Sequence, residues 1–378
     1  MRLREWCVLA LLLIFVFSPQ LHAQESELPD ETEVWLVTYG PGELYWQRFG
    51  HNAIWIRDAR LGLDHTFNFG FFDFAQENFF LRFLMGRMLY FSAAQKVDDE
   101  FSQYVAENRD IRAQRLDMSP SQKSDLAGYL LNEVRPENRD YLYDYYQNNC
   151  STRVRDALDQ ALDGYIRQGS ENSTAPQSWR DHTRRLTQTD FWVYLGLETV
   201  LGPHVDRPIT RWDEMFIPGV LAESLAGDSS LVLEDYLVFE STLEGPPDRP
   251  GRVWPVYLLA SLAAMLLAWL LSRWLPATLL ARGWFAVSGL AGLAMLFFWF
   301  GTDHVVAAFN MNLLLFNPLW LVFATWKKTW RFALQLVAVF GVLALTVALS
   351  PGQYSADVIA AFLPLSLLAA YVLNRSTN

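Results

Sequence analysis

The distribution of hydrophobic and polar positions divides the chain into three regimes. Val8 to Phe17 is an apolar run behind Arg2 and Arg4 and is followed by Leu21-His22-Ala23. This is the pattern of a secretory signal over residues 1–23, cut after a small residue. An uncleaved anchor is the weaker reading, because the run is about half of the ~20 residues a span requires. From Val34 the pattern shortens to strand periods. Val34–Tyr39 is β-rich and stops at Gly40-Pro41-Gly42. Phe49–Asp58 reads as a strand with His51, Ala53, Trp55 and Arg57 on one face and Asn52, Ile54 and Ile56 on the other. Asp64–Gly70 returns as its hairpin partner after a turn at Leu61-Gly62. Beyond Gly251 the pattern is nearly continuous apolar, and it predicts five spans near 253–272, 284–301, 305–325, 332–349 and 356–373.

Between these regimes the periodicity is helical. Residues 98–116 and 120–134 read as amphipathic helices, and Asn149 caps a helix whose Val154, Leu158, Ala161 and Leu162 share a face up to Gly164. Two more helices are expected at about 187–201 and 210–226. The aromatic run Phe71–Phe91 fits core packing, with Phe80, Leu84, Arg87 and Met88 as the positions of an alternative exposed apolar lobe. Residues 244–252, rich in Pro and Gly, form a linker. The expected architecture is α+β: an exported domain over 24–243 (core 34–166, helical extension 179–243), then an all-α bundle of about five transmembrane helices over 253–378. Arg273, Arg282, Lys327, Lys328, Arg331 and Arg375 all fall on the cytoplasmic side if residues 24–252 lie outside. Signal and loop charges thus agree on one orientation.

Composition refines this picture. The chain of 378 residues is 52% hydrophobic with a net charge of −11. Seven of its 30 basic and two of its 41 acidic residues lie beyond Gly251, leaving 23 against 39 and a net of −16 in residues 1–251. Such a domain does not suit nucleic acid, and attraction to anionic lipid does not hold it at a bilayer. The spans do.

The chemistry centres on cysteine. Cys7 lies in the signal segment, so the mature chain carries one thiol, Cys150, with no internal disulfide partner. An isolated Cys is often a packing residue, but Asn148, Asn149, Ser151 and Thr152 are polar neighbours. Placed in the first turn of a helix, the thiol meets unpaired N–H groups that stabilise a thiolate. The helix terminus contributes up to ~2 kcal/mol and one pKa unit is about 1.4 kcal/mol. A base is therefore needed as well, and His51 is the candidate. For the residue that orients it, His65 and Asn68 compete. His182 and His204 sit among charged neighbours and read as solvated. No HExxH, CxxC or nucleotide-binding glycine motif is present, so neither metal nor cofactor is implied. Asp303 and His304 at the outer end of a span, followed by Asn310, Asn312 and Asn317, either line a substrate path or bond neighbouring helices.

These residues carry a resemblance. TYGPGELYWQRFGHNAIWIRD, FNFGFFDFAQENFFLRFLMGRMLYF and YDYYQNNCSTRVRDAL are similar to the periplasmic N-terminal domain of the Lnb family, the bacterial lipoprotein N-acyltransferases. The similarity continues through Gly202, Asp206, Phe216 and Pro218 and through TDHVVAAFNMNLLLFNPL. More distantly, HNAIWI followed by NNCSTRV resembles the permuted papain-like NlpC/P60 and lecithin:retinol acyltransferase group. The resemblance implies a permuted papain-like domain with Cys150 as nucleophile and His51 as base, and it matches His65 only loosely to a second histidine. It implies transfer of an acyl chain from a membrane phospholipid, through a Cys150 thioester, to the N-terminal amine of a diacylglyceryl lipoprotein at the bacterial inner membrane. Asn149, Asp303, His304 and Asn310 are the expected substrate contacts. A cell-wall amidase of NlpC/P60 type and a non-catalytic membrane scaffold are the competing functions.

Overall fold

The computed structural model describes residues 31–60, 62–350 and 352–377; the expected signal segment lies outside the described residues. The N-terminal domain is built on seven strands: β1 Glu33–Tyr39, β2 His51–Asp58, β3 Leu63–Phe71, β4 Leu89–Lys96, β5 Ile111–Leu116, β6 Asp140–Leu142 and β7 Val232–Phe239. They form one sheet in the order β6-β4-β3-β2-β1-β5-β7 with every neighbouring pair antiparallel.

Strand alternation sorts the side chains into two cores. Val34, Leu36, Ile54, Ile56, Phe67 and Phe69 meet Val154, Ala157 and Leu158 of the helix Cys150–Ala161, with Leu126, Leu130, Leu221 and Leu225 from two further helices. Trp35, Val37, Tyr39, Ala53 and Trp55 face the opposite side, where Val97, Phe101 and Tyr104 of the helix Val97–Ala106 cover them. Each fully buried Leu or Ile contributes about 1.5–3 kcal/mol to holding these layers together.

Two stretches differ from the sequence expectation. Residues 111–116 form β5 rather than the end of a helix, because buried Ile111 and Ala113 pair with Tyr39 and Val37 of β1 and buried Leu116 pairs with Val232 of β7. The supposed helical extension contributes β7, which closes the edge beside β5. The helix expected near 187–201 runs over Phe191–Val200 with a further helix, Trp179–Thr187, before it, and the one expected near 210–226 is interrupted at Pro218 into Arg211–Glu214 and Pro218–Ala226.

In the C-terminal part, four helices among the described residues are long and apolar enough to cross a membrane, in segments 254–271, 277–301, 327–348 and 356–375. The fifth expected span, 305–325, is not a continuous helix. It consists of short turns at Val305–Ala307 and Met311–Leu314 and a six-residue helix Trp320–Thr325. It still runs from end to end of the bundle. Asp303 N–H bonds Met85 O of the N-terminal domain at 2.9 Å, whereas Ala324 O accepts from Arg282 Nε at 2.7 Å at the other end of the helix Ala277–Gly301. Irregular backbone at membrane depth requires cover by protein. The neighbouring helices provide it, with Leu315 and Phe316 packed against Met295, Ala344 and Val358.

The two parts dock through hydrogen bonds. Helix Phe191–Val200 ends with unpaired carbonyls, as any helix does. Asn310 Nδ2 donates to Thr199 O (2.9 Å) and Val200 O (2.8 Å), and Asn312 Nδ2 to Glu198 O and Thr199 O (both 3.0 Å). Asp357, fully buried at the start of the last span, accepts from Tyr194 Oη at 2.5 Å and lies 3.6 Å from Arg184.

The irregular crossing predicts a labelling pattern. In a Cys150→Ala background, Thr302→Cys should react with a membrane-impermeant maleimide added outside and Lys328→Cys only after permeabilisation. Labelling of both from the same side would show that the segment does not cross.

Candidate active site

Cys150 opens its helix because Asn149 caps it. Asn149 Oδ1 accepts from Thr152 N–H at 2.9 Å while Thr152 Oγ1 accepts from Asn149 N–H at 2.8 Å, a reciprocal cap of the kind whose loss costs about 0.5–2 kcal/mol. The helix start is tied to β2 through Ser151, whose hydroxyl lies 2.9 Å from Asn52 Oδ1 and 2.7 Å from Met215 O. Asn52 is itself held by Thr38 at 2.7 Å. On the other side, Gly70 adopts φ +98° at the end of β3, and a Cβ there would stand 3.3 Å from Cys150 Cβ. Only glycine combines that backbone conformation with that approach. Cys150 is thus seated where His51 begins β2 and Gly70 ends β3. It is free and partly exposed.

His51 lies on the face of the sheet that carries Ala53, and Asn68 stands opposite Ala53 on β3. Asn68 Oδ1 is 2.8 Å from His51 Nε2. Which end of the amide faces the histidine is settled by the next residue. Asn68 Nδ2 donates to the buried Glu100 carboxylate at 2.8 Å, and Thr66 Oγ1 bonds the same oxygen. A carboxylate accepts and does not donate, so Oδ1 points to His51, Nε2 carries the proton, and Nδ1 is left as the basic nitrogen. Tyr39 stacks beside the imidazole at 5.9 Å, and Tyr104 stacks on Tyr39 at 3.6 Å. Arg109 lies 4.5 Å over the Tyr104 ring and donates to Gly40 O.

Burial decides the protonation states. The His51 pKa falls from 6.5 to about 4 because desolvation disfavours the imidazolium, outweighing the Asn68 hydrogen bond, and the Arg109 charge adds to the fall. The Cys150 pKa rises from 9.0 to about 11 for the same reason, although backbone N–H groups of Asn52, Ser151 and Cys150 itself act to lower it. The helix start therefore does not yield the resting thiolate expected from sequence. A neutral thiol beside a neutral imidazole is favoured by several pKa units, each worth about 1.4 kcal/mol. The same backbone N–H groups are placed to receive an oxyanion.

The other expected site residues have different places. His65 pairs with Ile56 on β3 and faces the opposite side of the sheet from Asn68, about 10 Å away along the strand. It is not part of the His51 pair. Asn149 directs both Nδ2 protons into the protein, to Tyr145 O (3.1 Å) and Phe216 O (3.0 Å), so its groups are occupied by folding. Asp303 pairs with Arg87 at 2.6 Å and His304 Nε2 lies 2.9 Å from Phe83 O, both docking contacts between the two parts. Asn310 serves the helix carbonyls described above. His182 is buried rather than solvated, with Nε2 2.8 Å from Glu214 and Nδ1 accepting from Arg185.

Glu100, Tyr39 and Tyr104 were not singled out from sequence. The signal for Glu100 was its helical spacing from Val97 and Tyr104, which puts a carboxylate on the buried stripe. The neutral resting pair predicts that alkylation of Cys150 by iodoacetamide rises about tenfold per pH unit between pH 7 and 10. A rate already level from pH 5 would show a thiolate–imidazolium pair instead.

The geometry now stands beside comparisons with known proteins. The Lnb N-terminal periplasmic domain matches residues 20–185, and the Lnb transmembrane domain matches residues 249–377. Neither a curated protein nor a solved structure matches the chain. The sheet domain and the four long apolar helices accord with this order, making the protein a multi-pass membrane protein with a periplasmic N-terminal domain. With both domains present in sequence, the chain belongs to the Lnb family.

Proposed function

We propose that the protein is a lipoprotein N-acyltransferase of the bacterial inner membrane with Cys150 as nucleophile and His51 as base. The observation that carries this reading is a free cysteine at a helix start whose sulfur meets the backbone N–H of Asn52, next in sequence to a histidine whose Nε2 lies 2.8 Å from Asn68 Oδ1, in a domain docked onto membrane spans. The family relationship supports a membrane enzyme of lipoprotein maturation. Nucleophile on a helix start, base on a strand and an amide as third partner, with the histidine earlier in the chain, also suit a permuted papain-like domain.

The reaction follows from the protonation states. Cys150 Sγ attacks the ester carbonyl of a membrane phospholipid as its proton passes to His51 Nδ1. Backbone N–H groups of Cys150 and Asn52 hold the oxyanion. Collapse breaks the C–O bond, and His51 returns the proton to the departing lysophospholipid oxygen, leaving an acyl thioester. The free α-amine of a diacylglyceryl cysteine then attacks that thioester, an acceptor to which amines add readily. His51 takes the amine's proton and delivers it to the departing sulfur. The product is an amide, and the free thiol is restored. Asp303, His304 and Asn310 act by holding the catalytic domain on the bundle, not by touching substrate.

Mass spectrometry of lipoprotein N-termini from cells that depend on this protein tests the reading. Wild type should give N-acylated termini and Cys150→Ala free amines. Unchanged acylation in the variant would rule out the thioester route. In a purified assay His51→Ala should lose about 10²–10⁴-fold in rate. Asn68→Ala should lose about 10²-fold, because the imidazole is then free to present the wrong nitrogen. The acid limb of kcat/KM should lie near pH 4, since burial keeps His51 neutral down to that range. A limb near 6.5 would mean that His51 is solvated during turnover.

A further inference from the structure

The residues between β3 and β4 form an apolar surface that the fold leaves uncovered. Helix Phe79–Met85 buries none of its residues, and Phe80 is 80% exposed, with Phe74, Leu81, Phe83 and Leu84 exposed beside it. The sequence allowed either core packing or an exposed lobe here, and the lobe is what forms, although Met88 turns inward.

Its position indicates what covers it. The C-terminal end of the helix is fastened to the turn after the span Ala277–Gly301: Met85 O accepts from Asp303 N–H, Arg87 pairs with Asp303, and His304 bonds Phe83 O. Gly86, at φ +73°, lies so close that a Cβ would come within 2.9 Å of His304 N. The lobe therefore sits at the level where this span leaves the membrane. Phe300 (76% exposed), Val305 and Phe309 expose further apolar surface around that same turn.

The lobe is also connected to the thiol. Phe74 and Phe72 pack on Phe79 at 5.0 and 6.4 Å, Phe72 lies 5.3 Å from Tyr90, and Tyr90 stacks on Tyr143 at 4.1 Å. Phe72 follows two residues after Gly70, which abuts Cys150, and the Cys150 charge acts on both Tyr90 and Tyr143. Phe72, Tyr90 and Tyr143 are only partly buried. They form a continuous aromatic floor.

We propose that helix Phe79–Met85 with Phe74 inserts into the periplasmic leaflet as a lipid-entry surface, and that the Phe72–Tyr90–Tyr143 floor guides a lipid acyl chain from it to Cys150. The second half rests on the acyltransferase reading; the insertion does not. The lobe enters the leaflet apolar side first, and Arg87 with Asp303 stays at the headgroup level, a split suited to an interfacial helix. An acyl chain is the ligand because the floor offers ring faces and few polar atoms along its length.

Full-length protein in phosphatidylglycerol–phosphatidylethanolamine nanodiscs tests the insertion. In a Cys150→Ser background, a bimane probe at Phe80→Cys should lose at least half its emission to a lipid carrying a nitroxide at acyl carbon 5, as a probe at Phe300→Cys does. A probe at Glu137→Cys should not respond. Bright emission at position 80 with quenching at 300 would overturn insertion, as would quenching that appears only when two copies share a disc. For the floor, Phe80→Asp/Leu84→Asp should raise the KM for bilayer phospholipid about tenfold while iodoacetamide alkylation of Cys150 stays within twofold of wild type. Unchanged KM would overturn the entry role. Absence of acyl transfer in wild type would instead remove the catalytic reading and the floor with it, leaving the quenching result to decide insertion alone.

Discussion

The bond between His51 Nε2 and Asn68 Oδ1 is the interaction on which the chemistry of this protein turns. It settles which imidazole nitrogen carries the proton, and it does so only because Glu100 fixes the other end of the amide. Glu100 is buried beneath the sheet, where desolvation raises its pKa against the pull of its hydrogen bonds from Thr66 and Asn68. A buried carboxylate needs such donors to be tolerated. The donors in turn acquire an orientation they would lack in water. The helix Val97–Ala106 thus takes part in the site without contributing a reacting group.

On the opposite face, the Cys150 helix answers a different constraint. Its core residues Val154, Ala157 and Leu158 set its distance from the sheet, but its axial position comes from Asn52, Ser151 and Gly70 at its first turn. Cys150 and His51 belong to separate layers and come close only where β2 starts and β3 ends. Burial there has a cost that the site retains: both groups rest in their neutral forms.

Docking onto the bundle obeys the rules of low dielectric. Asn310 and Asn312 close the carbonyl end of helix Phe191–Val200, and Asp357 is matched by Tyr194, Tyr354 and Arg184. These contacts satisfy the exposed carbonyls of that helix and the buried Asp357 carboxylate. They also explain why residues 305–325 are not a helix. Their amides and side chains serve the neighbouring domain, and a regular helix would turn Asn310 and Asn312, two apart, roughly 200° from each other.

Sequence by itself determined the elements whose period and caps are local: β1, β2 and β3, the Asn149-capped helix, the lone mature thiol and the alternate placement of loop cations. It also placed His51 on a strand beside Gly50, which allows close approach, and made it the candidate base. It did not separate Asn68 from His65, because the choice depends on register. The two are three apart and so lie on opposite faces of β3, but the pairing of Ala53 with Asn68 decides which of them shares the face of His51, and register is a property of two strands. Strands β5 and β7 were missed for a related reason: each is stabilised by its sheet neighbour more than by its own residues. The broken third crossing was hidden because hydropathy measures how apolar a segment is and not whether its amides bond within it. Glu100 reaches Asn68 only across the packed layers. What tertiary structure decided, in every case, was the partner of a polar group, and a partner distant along the chain leaves no mark on local pattern.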